Sequence, residues 1–259
     1  MRLAEVRRLI AELDLRPSKA LGQNFLIDGN ILQIILREAD VRGDETVVEI
    51  GPGLGMLTVE LLGRAKHLVA IEKDARLCAH LSRRFPELDL IEGDAIEVAL
   101  PKCDKVVANL PYSISTPILQ RFVEGDVKPR AIIVTLQREV AQRLAAGPRT
   151  KDYGALTLFT QLYYHVTVVH VVSPSCFFPA PRVESAIVAL NRRDPRVKLM
   201  PGAPFHKIVR LGFSQRRKML GKMLAECGPL DAAIARQRAE ELSLEQWITL
   251  ANALRPASA

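Results

Sequence analysis

Residues 47–55 read VVEIGPGLG. Val47, Val48, Glu49 and Ile50 form a short run with the character of a buried strand. Gly51, Gly53 and Gly55 follow at alternate positions, and Met56, Leu57, Val59, Leu61 and Leu62 then recur with helical spacing. A strand that runs into glycines and then into a helix makes a ligand turn, because a backbone without Cβ turns tightly and lets a ligand come close. The spacing is G-x-G-x-G, not the G-x-G-x-x-G of dinucleotide binders. Taken alone, the stretch is equally a tight turn of any α/β protein.

The strands that follow weigh against the plain turn. The run HLVAI over 67–71 is followed by Glu72, 21 residues after Gly51. An acid there accepts ribose hydroxyls in doubly wound folds. A third strand over 88–91 leads to Gly93-Asp94, and a fourth over 105–108 leads to Asn109-Leu110-Pro111-Tyr112. Open α/β sheets bind ligands at the carboxyl ends of their strands. A glycine loop, two acids and an NLPY turn, in that order, resemble the S-adenosylmethionine site of class I methyltransferases. The NLPY ending is similar to that of enzymes that methylate an exocyclic base amine.

The whole chain sets wider bounds. Its 259 residues suffice for one or two domains with a sizeable core. A hydrophobic fraction of 48% with 25% charged residues is ordinary for a globular protein. The net charge of +7 tilts the partner toward an anion, nucleic acid first. Cys78, Cys103, Cys176 and Cys227 are far apart and form no C-x-x-C pair. That spacing argues against a metal site or a disulfide framework and fits reduced thiols in a cytoplasmic protein. The first fifteen residues lack a signal-peptide core, and no apolar run approaches a membrane span.

Residues 2–12 carry a helical pattern through Leu3, Val6, Leu9 and Ile10, and Pro17 and Ser18 break it. LGQNFL over 21–26 reads as a surface loop anchored by Phe25 and Leu26. Asp28 is placed to cap a helix over 30–39. Strand and helix patterns then alternate, with helices expected over 115–123, 137–145 and 155–164 and strands over 131–136, 166–172 and 183–190. Prolines 174, 179 and 181 predict irregular structure up to Val183. GPRTKDYG, with Arg149 and Lys151, is either a solvated loop or an RNA edge. Residues 191–202 form the expected linker, and helices are expected beyond it. Residues 192–222 hold ten basic residues against the one acid Asp194, a field that attracts phosphate.

LGQNFL, EIGPGLG, NLPY, FFPAPRVESA and FSQRRK together resemble the ribosomal RNA adenine N6,N6-dimethyltransferase family, over residues 17–224. The resemblance implies a class I methyltransferase, Rossmann-like α/β fold with a seven-stranded sheet and a small C-terminal all-α domain. Residues 1–195 would form the S-adenosyl-L-methionine domain and residues 203–259 the helical RNA-binding domain. Gln23, Asn24, Leu26, Gly51, Gly53, Glu72, Lys73, Asp94, Ala95 and Asn109 would bind the cofactor. Asn109, Leu110, Pro111, Tyr112 and Phe177 would serve catalysis, Phe177 as an aromatic facing the target base. Phe178 stands where the family pattern has a polar residue, which leaves its role open. Arg149, Lys151, Arg210, Arg216, Arg217, Lys218 and Lys222 would bind RNA. The implied partner is small-subunit ribosomal RNA in a pre-30S particle, bound by a monomer.

An exocyclic adenine nitrogen is a poor nucleophile because its lone pair is delocalised into the ring. The Asn109 side-chain oxygen and the Leu110 carbonyl would hold its hydrogens out of plane, on a turn stiffened by Pro111, with Tyr112 as a stacking face. Catalysis by alignment and electrostatics needs no acid–base motif. The expected reaction is dimethylation of two adjacent adenines near the 3′ end of small-subunit 16S ribosomal RNA. The alternatives are a macrolide-resistance-type enzyme acting on large-subunit RNA, and an assembly or RNA-binding factor with a vestigial site.

Overall fold

The computed structural model describes residues 3–15, 23–194 and 196–254. Pro17 and Ser18, the Leu21-Gly22 start of LGQNFL, and Pro195 of the linker lie outside these residues. The described chain divides into two compact units. The first takes the described residues of Met1–Ala141 together with Val166–Arg192. The second takes Gln142–His165 and the described residues of Arg193–Ala259.

The first unit begins with α1 (Leu3–Glu12), β1 (Phe25–Leu26) and α2 (Gly29–Ala39). The Asp28 carboxylate caps α2, accepting from the backbone N–H groups of Asn30 at 2.8 Å and Ile31 at 3.1 Å. Ile31, Leu32, Ile35, Leu36 and Ala39 form its buried stripe. The alternating elements follow as β2 (Thr46–Ile50), α3 (Thr58–Leu62), β3 (His67–Glu72), α4 (Ala75–Arg84), β4 (Asp89–Glu92), β5 (Lys105–Asn109), α5 (Ser115–Glu124), β6 (Ala131–Gln137) and α6 (Arg138–Ala145). Beyond α7 (Ala155–Tyr163) come β7 (Tyr164–Val172), β8 (Phe177–Phe178) and β9 (Ser185–Arg192).

Seven strands form one sheet in the order β4-β3-β2-β5-β6-β9-β7. The neighbours from β4 through β6 pair in parallel, and β9 pairs antiparallel to β6 from Ala131↔Asn191 to Gln137↔Ser185. This is the expected fold. Central strands buried on both faces are apolar along their whole length, and β6 is buried from Ala131 through Leu136. The chain builds outward from β2 through β3 to β4, then crosses to β5 on the other side. The switch point therefore lies where β2 and β5 end, the position at which open sheets bind ligands.

Three local expectations change. The helix after the glycine loop begins at Thr58, because Gly51, Gly53 and Gly55 all take positive φ and turns occupy the chain up to Leu57. Phe25–Leu26, read as loop, and Phe177–Phe178, read as irregular, pair as a two-stranded antiparallel ribbon with Phe25↔Phe178 and Leu26↔Phe177. The third change concerns the division of the chain: Gln142–His165 joins the second unit, not the first. Those residues supply that unit's aromatic core. Tyr153 is 6.0 Å from Phe213 and Phe159 is 6.4 Å from Phe205, ring centre to ring centre.

The second unit is completed by α8 (Phe205–Ser214), α9 (Leu220–Met223), α10 (Ala232–Ala235) and α11 (Leu244–Ala253). Trp247 is fully buried there, with its indole N–H on the Ala239 carbonyl at 3.3 Å, and the Tyr153 hydroxyl donates to the Leu242 carbonyl at 2.9 Å. No helix of the described residues is long and apolar enough to cross a membrane.

A charged cluster sits around the start of β2, away from the switch point. The buried Glu45 carboxylate takes the Lys105 ammonium at 2.9 Å, the Arg42 backbone N–H at 2.9 Å and the Arg130 guanidinium. Burial by itself would raise the Glu45 pKa, but these donors outweigh it and hold it below the usual carboxylate range. A depressed folded pKa contributes stability above the unfolded value and loses it as pH falls through the folded pKa. Thermal melts of wild type and Glu45→Gln are thus expected to differ at pH 7 and to converge in acid. Curves that stay parallel down to pH 3 would remove Glu45 as a source of acid lability.

Candidate active site

The glycine loop is confined on two sides. Gly51 has φ +66° and a Cβ there would stand 3.2 Å from the Pro111 ring. Gly53 has φ +59° and a Cβ there would stand 3.1 Å from the Phe25 ring. Side chains at either position would strain the backbone and push the loop off the NLPY turn or off the N-terminal segment. The described residues that line the cavity between these parts all belong to the first unit.

Glu72 closes the second strand end. Its Oε2 accepts from the Gly53 N–H at 3.1 Å, and its Oε1 accepts from the N–H groups of Lys73 at 2.8 Å and Asp74 at 2.9 Å. The same acid that faces the cavity thereby holds the glycine loop in place. Burial raises its pKa, and the three N–H donors work in the opposite direction. At the next strand end the Lys73 ammonium reaches Asp94 Oδ2 at 2.7 Å, while Asp94 Oδ1 takes the Ile96 N–H at 2.9 Å. The Lys73 hydrogen bond comes first among the causes that hold the Asp94 pKa below its usual range.

The segment 23–26 lies along the cavity. The Gln23 amide donates to Asp74 Oδ2 at 3.5 Å, the β1–β8 ribbon holds Phe25 and Leu26, and the Ile27 N–H bonds the Cys176 carbonyl at 2.9 Å. The Asn109 Nδ2 donates to the Asn24 carbonyl at 3.0 Å. That bond fixes which end of the amide is which: the nitrogen faces Asn24, and Oδ1 is the end left to accept. Leu110 is buried, and the Tyr112 hydroxyl meets Ser185 Oγ at 2.5 Å.

Gln23, Asn24, Leu26, Gly51, Gly53, Glu72, Lys73, Asp94, Ala95 and Asn109 all line this cavity, and Leu110, Pro111 and Tyr112 line it with them. Phe177 does not. Its ring is 2% exposed and packs in the core with Leu26 and Ile31. In the two-residue strand β8 successive side chains point to opposite faces, and Phe177 takes the core face. Phe178 takes the other and packs against the cluster of Val6, Leu9, Phe25, Leu54 and Leu77, with the Arg7 guanidinium 5.3 Å from its ring centre.

Glu49 was not among the expected site residues, yet it lines the cavity and is 2% exposed. Its Oε2 has no hydrogen-bond partner. Burial pushes its pKa up to about 8; the Thr58 hydroxyl opposes this and the Glu72 carboxylate adds to it. The signal was present in the sequence, as the only charged residue in TVVEI.

The basic residues separate by what they touch. The Arg216 guanidinium donates to the carbonyls of Lys151 at 2.7 Å and Tyr153 at 2.9 Å, and pairs with Glu240 at 3.2 Å. It fastens the 150–153 turn, and its side chain stays 42% exposed beside those bonds. Arg149 has φ +66° and its N–H bonds the Glu240 carbonyl at 2.7 Å. The side chains of Arg149, Lys151, Arg217, Lys218 and Lys222 are exposed, and the Arg210 guanidinium lies 5.6 Å from the Phe159 ring centre.

The family profile described as ribosomal RNA adenine dimethylase matches residues 15–255. A protein of Clostridium perfringens named ribosomal RNA small subunit methyltransferase A is 40% identical, with 96% of this chain and 95% of that protein aligned. A protein of the same name from Geobacter metallireducens is 39% identical over 93% of this chain and 96% of that one. Among solved structures, a dimethyladenosine transferase from Plasmodium falciparum superposes with a TM-score of 0.79 at 27% identity, covering 87% of this chain and 95% of that one. The 23S rRNA methyltransferase ErmE superposes with a TM-score of 0.71 at 29% identity, covering 89% of this chain and 99% of that one.

Proposed function

Because the chain belongs to the ribosomal RNA adenine dimethylase family, we propose that it is an S-adenosylmethionine-dependent methyltransferase that dimethylates two adjacent adenines near the 3′ end of small-subunit 16S ribosomal RNA. The small-subunit reading is favoured over the large-subunit one because relatives at 35–40% identity carry the small-subunit name, against 29% for the 23S enzyme. The substrate in this reading is a pre-30S particle in the cytoplasm, and the enzyme acts as a monomer.

The observation that carries the reading is the oriented amide of Asn109 at the end of β5. The residues fit the cofactor: a glycine loop with positive φ that Cβ atoms would obstruct, two carboxylates at successive strand ends, and the unpartnered oxygen of Glu49. Glu72 would take the ribose hydroxyls, Asp94 with Lys73 and Ala95 would take the adenine edge, and Gln23, Asn24 and Leu26 would cover the opposite side. Bound there, the cofactor supplies a methyl group on a cationic sulfur. The protein's part is alignment. Asn109 Oδ1 and the Leu110 carbonyl accept the two hydrogens of the target amine and turn its lone pair out of the ring plane. Pro111 stiffens the turn and Tyr112, steadied through Ser185, gives the base a face to stack on. The acids and the NLPY turn line one cavity, which speaks against a vestigial site.

The test is incubation with labelled S-adenosylmethionine and separated ribosomal subunits from cells lacking this modification. Label confined to two adjacent adenines of the small subunit is expected. Label in large-subunit RNA would establish the alternative, and none in either would leave a binding protein.

RNA capture falls to the exposed cations of the second unit. With Arg216 left in place because its bonds hold the 150–153 turn, Arg217→Glu with Lys218→Glu should weaken RNA binding and flatten its log–log salt dependence by roughly one unit for each phosphate no longer neutralised. Cofactor affinity should stay unchanged. If RNA affinity is unaltered at every salt concentration, these residues only solvate their turn.

A further inference from the structure

We propose that Glu49 is protonated in the cofactor-free protein and becomes the counter-ion of the cofactor's positive charge, so that cofactor capture releases one proton to solvent. This rests on S-adenosylmethionine being the cofactor, and it concerns how the site recognises a cation.

The geometry sets two carboxyl groups in one cavity and treats them differently. Glu72 has three backbone N–H groups on its two oxygens. Glu49, on the neighbouring strand, is 2% exposed and its Oε2 has no partner. Two buried carboxylates do not ionise together without compensation, and the one with no backbone N–H on its unpartnered Oε2 keeps the proton. Among the described residues, the surrounding elements supply no compensating cation. On α3, Thr58 faces Glu49, and Glu60 is paired with Arg64. Lys73, after β3, is paired with Asp94 after β4. Lys105 of β5 is held by Glu45. On α4, burial, with Arg84 and Arg83, keeps His80 below its usual pKa, and burial pushes the Cys78 thiol up to about 12, so both stay uncharged near neutral pH.

A sulfonium or ammonium group entering the cavity changes this balance. An opposite charge within a few ångströms favours the ionised carboxyl, and the lost proton passes to the buffer. In the protein alone, burial pushes the Glu49 pKa the opposite way, up to about 8, so that the proton is held until a cation arrives.

Calorimetry of S-adenosylmethionine binding at pH 7, in phosphate and in Tris at equal ionic strength, reads the proton count from the difference in heats. Wild type should release roughly one proton, and its affinity should climb about tenfold per unit as pH rises toward 8. Glu49→Gln, nearly the same shape, should release none through this position, match wild type at pH 6 and bind at least about tenfold more weakly at pH 8.5. No release by wild type, or equal release by both proteins, overturns the proposal. Failure of wild type to bind at all overturns the cofactor assignment and this proposal with it. Melting of the cofactor-free proteins gives a second reading. A carboxyl with a raised folded pKa loses its stabilising contribution as pH climbs from the unfolded value toward the folded one. Wild type should therefore lose melting temperature between pH 5 and 8 relative to Glu49→Gln, and parallel curves overturn the proposal. Should the variant fail to fold, the wild-type heats decide alone.

Discussion

Asn109→Ala is expected to lower turnover by about two to three orders of magnitude, the usual cost of removing one preorganised hydrogen-bonding group from a transition state. Cofactor affinity should fall much less. The variant also loses the bond from Nδ2 to the Asn24 carbonyl, and one such bond is worth about 0.5–1.5 kcal/mol, or at most roughly tenfold in affinity. An interaction formed only in the transition state appears in kcat, whereas one already made in the ground state appears in binding. Asn109→Asp separates the two contributions further. It keeps an acceptor for the target amine but sets an oxygen against the Asn24 carbonyl, so the segment over the cavity loosens while the alignment partly survives. Single-turnover kinetics with small-subunit particles and direct cofactor titration measure both quantities. Near-normal turnover in Asn109→Ala would discard the alignment mechanism.

Much of the cavity was legible in advance, because strand ends leave local marks. Glycines with positive φ, acids directly after β-branched runs and a proline-stiffened turn are each set by neighbours a few residues away. The parallel order of the strands then gathers them at one switch point. What depended on tertiary partners was not legible. Phe177 and Phe178 are chemically identical, and only their pairing with Phe25 and Leu26 assigns one to the core and the other to α1. Arg216 sits in the same charge run as Arg217 and Lys218, yet its guanidinium meets carbonyls more than sixty residues earlier in the chain. The grouping of Gln142–His165 with the second unit was hidden likewise, since Tyr153 and Phe159 find their partners beyond Ala203. Glu49 was visible as an acid in a buried strand, but its missing partner is a fact of three dimensions.

Glu72→Ala is expected to reduce cofactor affinity by roughly 10²–10⁴-fold, because hydrogen bonds to a charged acceptor are worth about 1.5–3 kcal/mol each and a ribose offers two hydroxyls. Part of any loss comes through the glycine loop, since the Gly53 N–H also relies on this carboxylate. Glu72→Gln divides the two effects. Its amide oxygen can still serve Lys73 and Asp74, as Glu72 Oε1 does, but its amide nitrogen would confront the Gly53 N–H. If loop support dominates, Gln and Ala should be about equally damaging, and both should lower the melting temperature of the cofactor-free protein. If the ribose contact dominates, Gln should retain an intermediate affinity because one acceptor remains. Calorimetry and melting on the same samples decide between these cases. Affinity of Glu72→Ala within threefold of wild type would remove Glu72 from the cofactor site and leave it as a brace for the loop.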